Sequence, residues 1–358
     1  MIDSSRFAVG FVSSPHPHAP MHMKTLDVLP EVGEVYLCGL EGEDLEAIGM
    51  ESSKVRSKTT SLEELLGLSH LDALIVSVRN DLCCAVLDAA VQTGVPVLFE
   101  KPGAVRASDL RRVADRAMCN RVTLGAMYTN RWSPEMKEVR KIVKGGGLGK
   151  VMAVESRMVT SQVRYRDPSH WLFSKEYAGS GILSWLACHH IDLLCYLLEE
   201  RIVEVSAMIA SNNPEAIEVE DTAMVTMRFE SGVLGSVHAG YHLAGSASGY
   251  AGGSYDAFLG LRGVDGYVTT PWATHDSLEM YSEADGWVSE GLRQTEYDKV
   301  DSLAYGGKAG EEFVLDFLEA CRTGSPIPAP IDAAVHVLDV IEAALESSVT
   351  GRTVTLAG

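Results

Sequence analysis

Val95–Ala104 reads VPVLFEKPGA. The apolar run from Val95 to Phe99 stops abruptly at Glu100, Lys101 and Pro102. A short β-prone run bounded by Gly94 and Pro102 predicts a buried parallel strand. Pro102 has no N–H to give to a ladder and ends the strand. A lysine at the carboxyl end of such a strand stands where open α/β sheets bind ligands. Partly shielded from water, its amine can exchange protons. Taken alone, the segment more simply gives a surface lysine that caps a strand. The flanking sequence reverses that.

Upstream, Phe7–Val12 (FAVGFV) is a second continuous apolar run, followed by the loop Ser13–Ala19 and a helix over Pro20–Leu29. Strands are predicted at Val35–Cys38, Asp72–Val76 and Val122–Met127, with helices beginning at Asp44 and spanning Leu62–Leu66, Leu82–Thr93 and Ala107–Met118. Strand and helix alternate with short connections. That pattern predicts an α/β fold, a doubly wound Rossmann domain with a parallel sheet covered on both faces. It is expected to occupy residues 1–128.

The pattern changes after Met127. Ser133–Val143 is an amphipathic helix that ends in Gly145, Gly146 and Gly147. Strand-like runs follow at 151–158, 203–211, 223–229, 233–241, 257–262 and 266–270, interrupted by a helix over Ile182–Leu198. Turns such as Glu230-Ser231-Gly232 imply hairpins, hence an open, mainly antiparallel sheet. Helices over Glu311–Cys321 and Ala333–Ser347 close this α+β domain, expected over 129–358. The Gly- and Ser-rich stretch Ala244–Ser254 reads as its most mobile loop.

The chain has 358 residues, enough for two domains and a sizeable core. Its net charge of −19 offers no basic footprint for nucleic acid or an anionic membrane. No run of 18 apolar residues occurs, and the N-terminus has no basic segment before an apolar one, so no membrane span or signal peptide is expected. The seven cysteines are scattered with no CxxC pair, which suits a reducing cytoplasm.

Two groups of residues could carry chemistry. A dinucleotide fold usually places G-x-G-x-x-G after its first strand, so that backbone can approach a pyrophosphate. Here the stretch is Ser13-Ser14-Pro15-His16-Pro17-His18. Ser13 and Ser14 offer hydroxyls and N–H groups, and His16 or His18 could face a phosphate. After the second strand, Glu41 could hold an unphosphorylated ribose, which leans toward NAD over NADP. The other group is GSGILSWLACHHID, residues 179–192. On a helix Trp185, His189 and Asp192 share a face, and His189 can exchange a proton near neutral pH. His189 and His190 point about 100° apart on a helix, so they do not readily chelate one ion, and no metal is expected.

Five segments in order resemble the Gfo/Idh/MocA family of NAD(P)-dependent oxidoreductases. They are FEKPGA at 99–104, RWSPEMKEVRKIVKGGGLGKV at 131–151, GSGILSWLACHHIDLL at 179–194, VEDTAMVTMRFESGVLGSV at 219–237, and the closing stretch from Phe313. The resemblance implies hydride transfer between NAD or NADP and a carbinol carbon of a sugar, inositol or related polyol. It also implies an open sheet that forms a homodimer or homotetramer interface. Lys101 matches the family's catalytic lysine and His189 its catalytic histidine. Glu100, Ser77 and Asn80 fall on the cofactor side, Asn80 matching the asparagine beside the nicotinamide. Val78 and Arg79 replace the usual Thr-Pro. Trp185 holds the place of an acidic residue four before the histidine, and offers a flat apolar face to a sugar ring. His170, Trp171 and His190 are further candidates for substrate contact, with Tyr241 and His242 behind them. Two other readings stay open. One is glycoside cleavage through a transient keto sugar, with the NAD regenerated. The other is a non-redox binding protein whose dinucleotide site has degenerated.

Overall fold

The computed structural model describes residues 6–49, 52–244, 255–271, 277–287, 291–298 and 300–356. The chain divides into two compact units. One comprises Met1–Trp132 and Val300–Val335, the other Ser133–Lys299 and His336–Gly358.

The first unit alternates β1 (Phe7–Ser13), α1 (Ala19–Val28), β2 (Val32–Gly39), α2 (Leu45–Gly49), β3 (Val55–Thr59), α3 (Leu62–Leu66), β4 (Ala73–Ser77), α4 (Asn80–Thr93), β5 (Val97–Phe99), α5 (Ala107–Asn120) and β6 (Leu124–Ala126). The strands pair in parallel in the order 3-2-1-4-5-6. This is the doubly wound order. β1, β4, β5 and β6 are buried along their whole length, as continuous apolar runs between two helical layers must be. β3 (VRSKT) has no apolar run to betray it. It is a polar edge strand with no residue fully buried.

The second unit begins with α6 (Pro134–Lys144) and β7 (Val151–Ser161), then α7 (Lys175–Ala178), α8 (Cys188–Leu198), β8 (Ile202–Ala210), β9 (Thr222–Phe229), β10 (Leu234–Leu243), β11 (Tyr255–Gly263), β12 (Gly266–Thr270), β13 (Ser277–Ser282) and β14 (Leu292–Glu296). After β14 the chain continues through α9 (Gly307–Thr323), which belongs to the first unit, and then α10 (Ile331–Thr350) and β15 (Val354–Thr355). The nine-stranded sheet runs 14-13-12-11-7-10-9-8-15. Every pair in it is antiparallel except β7 with β10. The sheet is therefore mixed, though mostly antiparallel as expected. Residues 245–254 of the glycine- and serine-rich stretch lie outside the described residues.

The division expected at 128/129 misses the return of the chain. Residues 300–335 belong to the first unit. Trp132 donates its indole N–H to Asp316 at 2.6 Å and packs edge-on against Phe313. The Ala126 N–H donates to the Ala329 carbonyl at 2.9 Å, which extends the β6 edge. An open sheet edge asks to be covered, and a segment two hundred residues away covers it.

The expected helix over Ile182–Leu198 is not a single α-helix. Leu183–Ala187 form a π turn before α8. Lys175–Leu198 is long and apolar enough by composition to cross a membrane, yet most of it is buried within the protein. Gly181 opens the run because nothing larger fits. A Cβ there would sit 2.0 Å from the Glu220 carbonyl oxygen. Backbone cannot rotate away as a side chain would. Gly181→Ala should therefore cost about 2–4 kcal/mol, read as a lower urea midpoint at unchanged slope. An unchanged midpoint would show that the close approach is absent.

Candidate active site

β5 delivers Glu100 and Lys101 to the carboxyl edge of the parallel sheet. The Glu100 N–H still donates to the Val76 carbonyl at 2.8 Å, so the residue is anchored to β4. The Lys101–Pro102 peptide is cis. Gly103 follows at φ +90°, and a Cβ there would meet the Phe99 ring at 2.3 Å. Lys101 is 1% exposed and Glu100 3%. The reading as a surface lysine is thus excluded.

Burial of a carboxylate demands donors. His18 Nδ1 lies 2.7 Å and His22 Nε2 2.5 Å from the same oxygen, Glu100 Oε1. His18 precedes the first turn of α1, and His22 lies one turn further on the same helix. Tyr305, from the returning segment, places its ring 4.5 Å from both imidazoles. Its N–H donates to Thr25 Oγ1 on α1 at 2.9 Å. Burial alone would favour the neutral acid at Glu100. The opposing pull of His18, His22 and Lys101 is larger and holds the carboxyl well below the usual range. Burial holds His18 down at about 4 and His16 well below its usual value. The consistent state is an anionic Glu100 receiving N–H bonds from both imidazoles.

His16, His18 and Glu100 also have the composition of a metal site. One ligand atom from each lies within 4.8 Å of the others. His18 Nδ1 also lies within hydrogen-bond distance of Glu100, and His16 Nδ1 accepts the His18 N–H at 3.1 Å.

The side chains expected to face a phosphate are engaged within the first unit. His16 is buried, its Nδ1 3.3 Å from Ser77 Oγ, and it is not a cationic phosphate contact. His18 faces Glu100. The Ser13 hydroxyl donates to Glu43 at 2.7 Å, and the Ser14 hydroxyl accepts the Arg79 N–H at 2.9 Å. Pro15 and Pro17 bring no N–H at all. Past β2, Glu41 pairs with Arg79 at 2.8 Å. Glu43, which the sequence did not single out among three nearby acids, reaches back to β1. Burial pushes its carboxyl up despite the Ser13 bond. Asn80 is buried at the start of α4.

In the second unit His189 lies in the first turn of α8, buried, and Asp192 follows on the same helix. His190 is corrected from substrate contact to core. It is fully buried, and its Nδ1 forms a short hydrogen bond with Ser156 Oγ on β7, which fixes α8 to the sheet. Burial lowers its pKa to about 3. Trp185 lies on the π turn and is 5% exposed, so it is no open platform. His170 caps the turn Trp171–Phe173 by accepting the Leu172 N–H, and stays half-buried beside Trp171. Tyr241 is buried against Phe173, with the Arg166 guanidinium over its ring. Glu220 was not singled out. Its buried carboxylate accepts the Leu183 N–H at 3.0 Å and so caps the π turn. Burial pushes its pKa up against that donor.

Residues 12–128 match the oxidoreductase family's NAD-binding Rossmann fold, and residues 136–259 match the GFO/IDH/MocA C-terminal domain. The chain belongs to the Gfo/Idh/MocA family. A 1,5-anhydro-D-fructose reductase of Ensifer adhaerens is 28% identical over 198 residues, which is 55% of this chain and 58% of the reductase. A levoglucosan dehydrogenase of Pseudarthrobacter phenanthrenivorans is 22% identical over 302 residues, 78% of this chain and 72% of that enzyme. The match thus spans little more than half the length of the first of these relatives. A solved levoglucosan dehydrogenase, in complex with NADH and levoglucosan, superposes with a TM-score of 0.86 at 18% identity. That superposition covers 99% of this chain and 100% of the other, and shows a common fold.

The buried imidazoles set a pH dependence. His18 and His190 fall from an ordinary 6.5 to about 4 and about 3 in the folded chain. The unfolded chain then binds more protons over that range, so stability is full above pH 6.5 and declines below it. Glu100 acts in the same direction at lower pH, since its folded value is also depressed. Between pH 7.5 and pH 5 the urea midpoint should fall, by an amount on the order of a few kcal/mol in stability. Equal midpoints would mean that these histidines protonate freely in the native state.

Proposed function

We propose that this chain is an NAD(P)-dependent oxidoreductase that moves hydride between a nicotinamide and a carbinol or keto carbon of a sugar, inositol or related polyol. The observation that carries this reading is Lys101. It is a buried amine beside an ionised carboxylate, at the carboxyl edge of a 3-2-1-4-5-6 sheet. The names of the relatives, a sugar reductase and an anhydrosugar dehydrogenase, agree with it.

A bound dinucleotide supplies the hydride acceptor or donor. The residues at the end of β2 fit its ribose, because the Glu41 and Glu43 carboxylates can accept from free ribose hydroxyls and would repel a 2′-phosphate. Arg79, held by Glu41, moderates that repulsion. Lys101 and His189 take up the hydroxyl proton in oxidation and return it in reduction. His170 and Trp171 orient the ring. The outer face of β8–β10, where Met208, Met224 and Leu234 are exposed, is the surface for assembly of identical copies.

Fluorescence titration with NADH and NADPH tests the cofactor. Binding of neither, with no cofactor co-purified, would sink the reading. With a responsive sugar in hand, Lys101→Ala and His189→Ala should each lower turnover by about 10²–10⁴-fold. Full turnover in both variants would remove them from the chemistry. Glu41→Ala combined with Glu43→Ala should shift preference toward NADPH by about tenfold, measured as the ratio of the two dissociation constants.

A further inference from the structure

We propose that His18, His22 and Tyr305 form a clamp that holds Glu100 as the fixed counter-charge of Lys101. The β1–α1 loop is then a positioning device for the proton-transferring lysine rather than a phosphate cradle. The proposal rests on the reading of Lys101 as that lysine.

Three observations carry it. First, both imidazoles converge on one oxygen of a carboxylate that has almost no contact with water. An ionised carboxylate only accepts, so both rings must donate to it. Second, the loop hydroxyls and the His16 ring are engaged within the first unit, and two of its six residues are prolines. The missing glycines are explained if this loop has another task. Third, Tyr305 returns from far along the chain to pack on both rings, which restricts their rotation. Among the described residues, the charged and titratable groups facing Glu100 are His16 and His18 from the loop, His22 from α1, Lys101 just past β5 and Cys83 from α4. Burial favours neutral His16 and His18 and an unionised Cys83 thiol. Without its two donors a carboxylate so buried would protonate near neutral pH, and Lys101 would lose its partner.

The experiment uses the full-length protein with ¹³C-carboxyl-labelled glutamate, Glu100 being assigned by the signal that Glu100→Gln removes. Its signal in the wild type should stay that of a carboxylate from pH 8 down to pH 5. In a His18→Leu, His22→Leu double variant it should titrate at a midpoint higher by about one to three pH units. In a His18→Asn, His22→Gln variant the amides supply N–H groups in place of Nδ1–H and Nε2–H, and the wild-type signal should return. Turnover should follow. The leucine variant should show an acid limb moved toward neutral pH and a kcat lower by about tenfold or more, while the amide variant keeps the wild-type profile. The NADH dissociation constant should change by less than about twofold in both.

A Glu100 signal that ignores both substitutions overturns the clamp. A folded amide variant that behaves like the leucine one also overturns it, because the histidines would then act other than as donors. A large loss of NADH affinity with an unmoved pH profile would return the loop to phosphate binding. If the leucine variant does not fold, the amide variant and Glu100→Gln decide alone. Glu100→Gln must then lower kcat with NADH affinity kept. Lys101→Ala separates the two readings. Full turnover in that variant defeats the assignment of the lysine, whereas lost turnover with an intact pH profile in the leucine variant defeats only the clamp.

Discussion

One carboxylate oxygen, Glu100 Oε1, receives two imidazole N–H bonds in a place nearly closed to water. Much of the first unit answers to that arrangement. A buried charge is tolerated only when its lone pairs are met and a counter-charge is near. The donors come from the loop after β1 and from α1, the acceptor from the end of β5, and the cover from Tyr305. The hydrogen bonds join the middle of the sheet to α1, and the packing of Tyr305 joins both to the segment that returns two hundred residues later. One of those donors, His18, belongs to the loop that in a dinucleotide fold usually cradles a phosphate.

The second unit solves a related problem at the start of its buried helical run. The π turn at Leu183–Ala187 begins where Gly181 lies against the Glu220 carbonyl, and the Glu220 carboxylate accepts the Leu183 N–H. π turns are uncommon and concentrate at functional sites. This one directly precedes α8, whose second residue is His189. His190, its neighbour in sequence, has the opposite role. It points into the core, hydrogen-bonded to Ser156, and burial keeps it neutral. Two adjacent histidines are thus separated by the pitch of a helix into a candidate for chemistry and a packing residue.

Much of this was legible in the residues. Buried parallel strands declare themselves by continuous apolar runs, so β1, β4, β5 and β6 were found with small errors at their ends. β3 was missed because an edge strand exposed along its length has no apolar signature. Lys101 was legible because a strand that ends in Glu-Lys-Pro leaves the lysine at the ligand edge. The partners of Glu100 were not. His18 was read outward, as a phosphate contact, and His22 was not singled out, because hydrogen-bond direction depends on which groups the fold buries. Glu43 lay among three acids that local sequence cannot tell apart. Glu220 lay on another element, thirty-seven residues after Leu183.

The sequence by itself determined the alternation of strand and helix, the change to a mostly antiparallel sheet and the position of Lys101. Each of these follows from period and punctuation within a few residues. Only the tertiary structure decided that residues 300–335 belong with the first unit, and that a glycine-free loop points its imidazoles inward. The same holds for His190, which belongs to the core. The physical reason is common to all three. Apolar patterning is a local property of the chain, whereas the satisfaction of a buried polar atom is settled by whatever distant residue the fold brings within hydrogen-bond reach.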